Sequence, residues 1–272
     1  MQLAVNQSAP ALQLYAQGDS PIDLIKCAWF NDWITESQAI APSYVHFPLL
    51  TSPDGLIIDD GRPVDWNEIE NSLHSTQSHH LNIHAFADPK LFDTDDSSSP
   101  RRILESTQRC VDEAHSALPE TQVIVENVVS RAGGKLCHPY ATNPEFFSDL
   151  VQKSECGLLL DTAHLRITCL EQGWDWIEII ESMPLHALEE WHVCGCQIPE
   201  RDKVFYDSMP MTDEDWEITK HVLKLIRRNS AKVPKIVALE IGGIGGKFEW
   251  RTDYEVIRDD LNCLKTLLDS HN

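Results

Sequence analysis

Apolar residues fall along the chain in eight short runs, at residues 3–6, 22–29, 44–47, 81–86, 122–127, 157–161, 188–193 and 235–241. Each is bounded by polar or turn-forming residues, as expected of strands buried on both faces. Between them the apolar spacing changes to the helical period, most clearly at 65–78, 100–118, 143–153, 174–183, 212–228 and 253–270. Start signals support several of these helices. Thr212 is followed three residues later by Asp215, a capping-box form, and Pro144 follows Asn143 at a first helical position. Segments after the first and third strands read as weak or short helices.

Strand and helix alternate throughout, which favours a parallel sheet with crossover helices. Eight strands in 272 residues fit a single, somewhat irregular (β/α)8 TIM barrel spanning residues 1–272 better than an open sheet. There is no internal repeat and no Gly/Ser linker. The longest expected loop, residues 88–100, carries Asp93, Asp95, Asp96 and three serines. It reads as a solvated loop, with a lid over the barrel mouth as the sharper alternative.

Composition narrows the function. With 43 acidic against 22 basic residues the formal charge is −21, and long-range repulsion opposes any grip on a nucleic acid backbone. No run of 18 apolar residues suggests a membrane span, and the N-terminus lacks the basic and apolar regions of a signal peptide. A cytoplasmic protein is expected. The eight cysteines are scattered without a Cys-x-x-Cys pair and read as reduced packing thiols. Cys194 and Cys196 stand apart, because they share parity with His192 and could offer a thiolate ligand or a nucleophile.

Six strand ends carry the candidate chemistry: His46, His84, Glu126, Asp161, His192 and Glu240. A barrel of this type places its active site at those ends. His164, three residues beyond Asp161, and Asp207, in the connection after the seventh strand, add two further donors. Imidazole and carboxylate together suit zinc, iron or manganese, and eight donors exceed the needs of one ion. A lone His at a strand end is usually an ordinary polar residue, but Glu126 and Asp161 follow apolar residues and need a cationic partner. The other histidines, at 74, 79, 80, 115, 138, 186, 221 and 271, are expected to have surface roles. The glycine-rich stretch 242–246 lacks the Lys-Ser/Thr of a phosphate loop and reads as a flexible segment letting substrate approach the backbone near Glu240.

The set His46, His84, Glu126, Asp161-x-x-His164, His192, Asp207 and Glu240 resembles the ligands of xylose-isomerase-like barrels of the endonuclease IV type. Those barrels hold three metals with a further His two positions beyond the loop Asp, where this chain has Met209. The resemblance implies a third ion that is weakened, absent or differently held. Residues 120–245, with Val125-Glu126-Asn127, Gly157-Leu158-Leu159-Leu160-Asp161 and Glu190-Trp191-His192-Val193-Cys194-Gly195, look similar to multinuclear non-haem iron-dependent oxidative enzymes of the methanobactin-biosynthesis type. That family commonly has Asn at the position of His164 and His at that of Met209. The resemblance implies two or three ions, iron by preference with zinc or manganese as alternatives. It further implies dioxygen-dependent modification of a peptide or small thiol substrate, with a separate recognition protein as a possible partner; no single general base stands out. Three other readings remain open: a divalent-metal sugar isomerase or epimerase, a metal-dependent phosphodiesterase, and a non-catalytic metal-binding accessory protein.

Overall fold

The computed structural model describes residues 1–18, 20–200, 202–246 and 248–270; His271 lies outside them. Eight parallel strands form the frame: β1 (Gln2–Asn6), β2 (Leu24–Ala28), β3 (Ser43–His46), β6 (His80–His84), β7 (Gln122–Glu126), β8 (Gly157–Asp161), β9 (Leu188–Val193) and β12 (Ile236–Leu239). They curl in the order β3-β2-β1-β12-β9-β8-β7-β6 and coincide with the eight apolar runs. This is a TIM barrel with one irregular seam. Between β3 and β6 no backbone ladder forms, and side chains close the gap. Asn82 accepts from the Phe47 amide at 2.7 Å and donates to the Phe47 carbonyl at 3.0 Å, while Ser78 accepts from the Val45 amide at 2.8 Å. A hairpin of β4 (Leu49–Ser52) and β5 (Gly55–Ile58) extends β6 at the rim.

The surrounding helices are α1 (Ala9–Gln17), α2 (Asn31–Gln38), α3 (Trp66–Ser75), α4 (Ser99–Ala117), α5 (Pro144–Ser154), α6 (Thr162–Gln172), α7 (Trp176–Ser182), α8 (Asp213–Arg227) and α9 (Tyr254–Asp269). The capping box of α8 forms between Thr212 and Asp215, and Asn143 caps α5 ahead of Pro144. Helix α6 does not follow from the spacing. Seven of its eleven residues are buried, so it shows no amphipathic stripe, and Thr162, Ile167 and Thr168 weaken its propensity. Tertiary contacts supply what periodicity does not: Asp161 caps its start, Gly173 in the left-handed conformation ends it, and buried Arg166 ties it to Glu214 and Asp215.

Three apolar clusters divide the packing of the described residues, the smaller two being the barrel interior and a group around Val129 and Ile167. The largest lies between barrel and helices and includes Val5, Ile25, Val45, Trp191 and Leu239. The barrel interior is filled with Ala4, Leu24, Tyr44, Ile236 and Ala238. Alternation along each strand then sends the residue two positions on, namely Asn6, Lys26, His46 and Glu240, to the same interior at the next level up. Segment 88–100 supplies no residue to the cavity at the barrel mouth; Phe92 is buried and Arg102 stacks on its ring at 5.3 Å. The lid expectation therefore has no support. No described helix is long and apolar enough to cross a membrane.

Candidate metal centre

At the C-terminal mouth the chain places His46, His84, Glu126, Asp161 and His192 on strand ends, Glu240 just beyond β12, and His164 in the first turn of α6. Asp207 lies on β11 (Tyr206–Met209), which pairs antiparallel with β10 (Gly195–Gln197). Gly195 is what lets that short sheet close over the barrel, since a Cβ there would sit 1.8 Å from the Pro210 carbonyl oxygen. All eight expected donors thus converge on one mouth, and six of them, joined by Cys194, fall in three overlapping groups of candidate ligand atoms, whereas His164 and Asp207 fall in none. One is His46, His84 and Glu126; the second Glu126, Asp161 and His192; the third Asp161, Cys194 and Glu240. Within each, the atoms lie inside 4.8 Å of one another. Glu126 and Asp161 are each shared by two groups, as a bridging carboxylate would be.

The proton positions of the histidines are set from outside the centre. His84 donates Nδ1–H to the Leu49 carbonyl at 2.9 Å, which turns Nε2 inward, 3.3 Å from Glu126. His164 donates Nδ1–H to the Asn127 carbonyl at 2.9 Å and presents Nε2 to Asp207 at 3.2 Å. His192 donates Nε2–H to Glu190 at 2.8 Å, leaving Nδ1 facing Glu240 at 3.2 Å and Glu126 and Asp161 at 3.8 Å. His46 Nε2 lies 3.2 Å from His84 Nε2 and 3.4 Å from Glu126.

Three buried atoms in this centre have no hydrogen-bond partner: Glu126 Oε2, Asp161 Oδ2 and His192 Nδ1. They are one atom from each member of the second group. Leaving buried acceptors unpaired is costly, and a cation between them removes that cost. The titration behaviour carries the same imprint. Burial would raise the Glu126 carboxyl, but His84, His192 and His164 outweigh it and hold it at about 2. Asp161 goes the other way: burial, reinforced by the Glu126 charge, lifts it above its ordinary value despite His164 and His192. Burial, together with Lys26, His84 and His192, depresses His46 well below its ordinary value, keeping it neutral and able to ligate. The donor set therefore fits a multinuclear metal centre of mixed imidazole and carboxylate ligands.

Several functional residues were not foreseen. Glu190, fully buried two residues before His192, accepts from His192 and from the Tyr44 hydroxyl at 2.7 Å, and its other carboxylate oxygen lies 2.5 Å from His80 Nε2. His80 is consequently no surface histidine; it starts β6 one residue earlier than expected and points into the barrel floor. The Glu190–His192 pair is the carboxylate–histidine arrangement that orients metal ligands. Glu190→Gln is expected to weaken metal affinity about 10–100-fold while the fold is retained, measurable by competition with a chromophoric chelator. The alternation was the available signal, since Glu190 and His192 share parity on one strand.

Lys26, in the interior of β2, is buried and ion-paired to Glu240. The two cysteines separate. Both pack with Val129, Ala163 and Ile167, but Cys194 also joins Asp161 and Glu240, whereas Cys196 belongs to no candidate ligand group among the described residues. Met209 is buried opposite Gly195 and is not among the residues lining the cavity. That cavity, about 610 Å³, opens above the centre and is lined by Trp29, Phe30, Trp33 and Phe248 and by the glycine-rich segment 242–246.

The chain is similar to known proteins in sequence and in fold. Residues 74–239 match a family model described as RiPP precursor modification enzyme MbnB/TglH/ChrH. A UPF0276 protein of Vibrio parahaemolyticus is 26% identical over 106 residues, covering 38% of this chain and 36% of its own. Another, from Chromobacterium violaceum, is 28% identical over 126 residues, covering 46% and 45%. The matched stretches span less than half the length of these relatives. Among solved structures, IolI protein with a bound zinc atom superposes with a TM-score of 0.58 at 13% identity over 100% of this chain and 98% of that one. The 3-keto-D-glucoside 4-epimerase YcjR of E. coli gives 0.61 at 12% identity over 98% and 99%. At such identities the likeness is one of fold, that of the xylose isomerase-like TIM barrels.

Proposed function

Because the chain belongs to the family of RiPP precursor modification enzymes MbnB/TglH/ChrH, we propose that it is a multinuclear metal enzyme that oxidatively modifies a ribosomally made peptide or a small thiol compound. The observation that carries this reading is the second group, in which Glu126, Asp161 and His192 each turn a buried, unpartnered atom to a common point. Iron is the metal proposed. When bound, it supplies redox chemistry with dioxygen that no side chain here can supply.

The protein's own part is to hold, orient and exclude. His46, His84 and Glu126 would hold one ion, and Glu126, Asp161 and His192 another, with Glu126 common to both. Leu49, Asn127 and Glu190 fix which ring nitrogen of His84, His164 and His192 faces inward. The aromatic rim and the 242–246 segment form a ledge where an extended peptide can lie close to the backbone. A separate recognition protein that delivers the peptide belongs to the same proposal.

The sugar epimerase reading has less support. It needs two carboxylates free to exchange a proton beside a carbonyl, yet Glu126 sits among four imidazoles and Glu240 is engaged by Lys26.

Protein purified without oxygen, loaded with ferrous iron and given a cysteine-containing peptide is expected to consume dioxygen and change the peptide mass. Conversion of a ketose with manganese and no oxygen uptake would replace this reading by epimerisation. Zinc-dependent cleavage of a phosphodiester would replace it by hydrolysis.

A further inference from the structure

Lys26 lies in the barrel centre where nothing in the proposed chemistry requires an amine. Its side chain is 6% exposed, and its Nζ contacts Glu240 Oε1. Glu240 is also a member of the third candidate group, with Asp161 and Cys194, and faces His192 Nδ1 at 3.2 Å. One carboxylate is therefore contested by a resident amine and by any ion that the group would hold.

The geometry points to Lys26 as a built-in substitute for a metal ion: it occupies Glu240, excludes an ion from the Asp161/Cys194/Glu240 corner, and leaves the chain with two ions rather than three. This rests on the metal-enzyme reading above and refines it. Charge accounting favours the arrangement. The carboxylates Glu126, Asp161, Asp207, Glu190 and Glu240 all crowd the interior and mouth, and a tethered ammonium supplies part of the compensation.

A second resident cation acts alike on the other side. Arg251 donates to the Asp207 carbonyl at 2.5 Å and lies 3.4 Å from its carboxylate, which His164 shares. Asp207 is held at about 2, burial being outweighed by His164 and Arg251. Met209 does not line the cavity, and among the described residues His164 and Asp207 belong to no candidate group of three donors. Cys194, meanwhile, is buried, and its Sγ accepts the Ser208 amide at 3.4 Å.

The test loads the full chain with cobalt(II) alone, without oxygen, and reads ion count by elemental analysis and thiolate-to-cobalt absorption in the near ultraviolet. Wild type is expected to hold about two ions per chain and show no thiolate band. Lys26→Gln is expected to rise to about three and gain the band, because Glu240 and Cys194 become available together. Adding Cys194→Ser to Lys26→Gln should remove the band, and Lys26→Arg should stay at about two. Three ions or a thiolate band in wild type would overturn the inference without touching the metal reading, and this measurement needs no variant to fold. A Lys26→Gln protein that folds by circular dichroism yet stays at two ions would also overturn it. Wild type that takes up no cobalt would end both readings together.

Discussion

Glu126→Ala is expected to strip the centre of metal, with affinity falling by well over about 100-fold and activity lost with it. The size of the effect follows from position. Outer partners of metal ligands are worth about 10–100-fold each, and Glu126 is a direct candidate donor in two of the three groups at once. Its two oxygens face different neighbours: Oε2 approaches His46 and His84 at 3.4 and 3.3 Å, and Oε1 approaches His164 at 3.4 Å and His192 at 3.8 Å. Alanine would leave these rings without a shared counter-charge and both ions one donor short. Elemental analysis of the purified variant reads the effect directly. Retention of the wild-type ion count would mean that the metal, if any, lies elsewhere.

Chelation should destabilise the folded chain to a comparable degree. Metal that binds only the folded state adds about 2.7 kcal/mol at a free concentration 100 times Kd. For a chain of this size each kcal/mol moves Tm by about 2–4 °C, so stripping metal is expected to lower Tm by about 5–10 °C. The orphaned Glu126, Asp161 and His192 atoms explain the direction, since removing the ion leaves buried acceptors unpaired. Protons act like the chelator. Ligation needs neutral imidazole and ionised carboxylate, so affinity falls as pH drops and the holo-to-apo difference in Tm should shrink toward acid. Thermal scans with and without chelator at two pH values check both statements; identical curves would contradict them.

The barrel was legible because its strands are buried on both faces and therefore appear as short, continuous apolar runs. The strand-end donors were legible for the same reason, as polar residues that break an apolar run only at its last position. What escaped notice lay inside the runs or outside any period. Lys26 sits between Ile25 and Cys27 and reads as a strand residue, yet shared parity with Leu24 turns it inward. Glu190 and His80 were hidden likewise: a second polar layer beneath the ligands becomes visible only when alternation is followed downward from His192 and His84. Helix α6 carried no stripe because it is packed on nearly every side. The seam between β3 and β6 could not be read at all, since a side-chain amide rather than a ladder closes it.

Met209 and Lys26 bear on the same point. At Met209 the chain lacks a histidine that the resemblance leads one to expect. At Lys26 it places an amine against a carboxylate that could otherwise bind metal. Together they describe a centre whose ion count is set by resident side chains as well as by ligands.

The most direct test of that centre is the metal content of protein purified without oxygen, measured beside His46→Ala, His192→Ala and Asp161→Ala variants. The expected result is stoichiometric metal at more than one ion per chain, iron foremost, which falls in each variant. Wild type without stoichiometric metal, together with variants indistinguishable from it in content and thermal stability, would contradict the account.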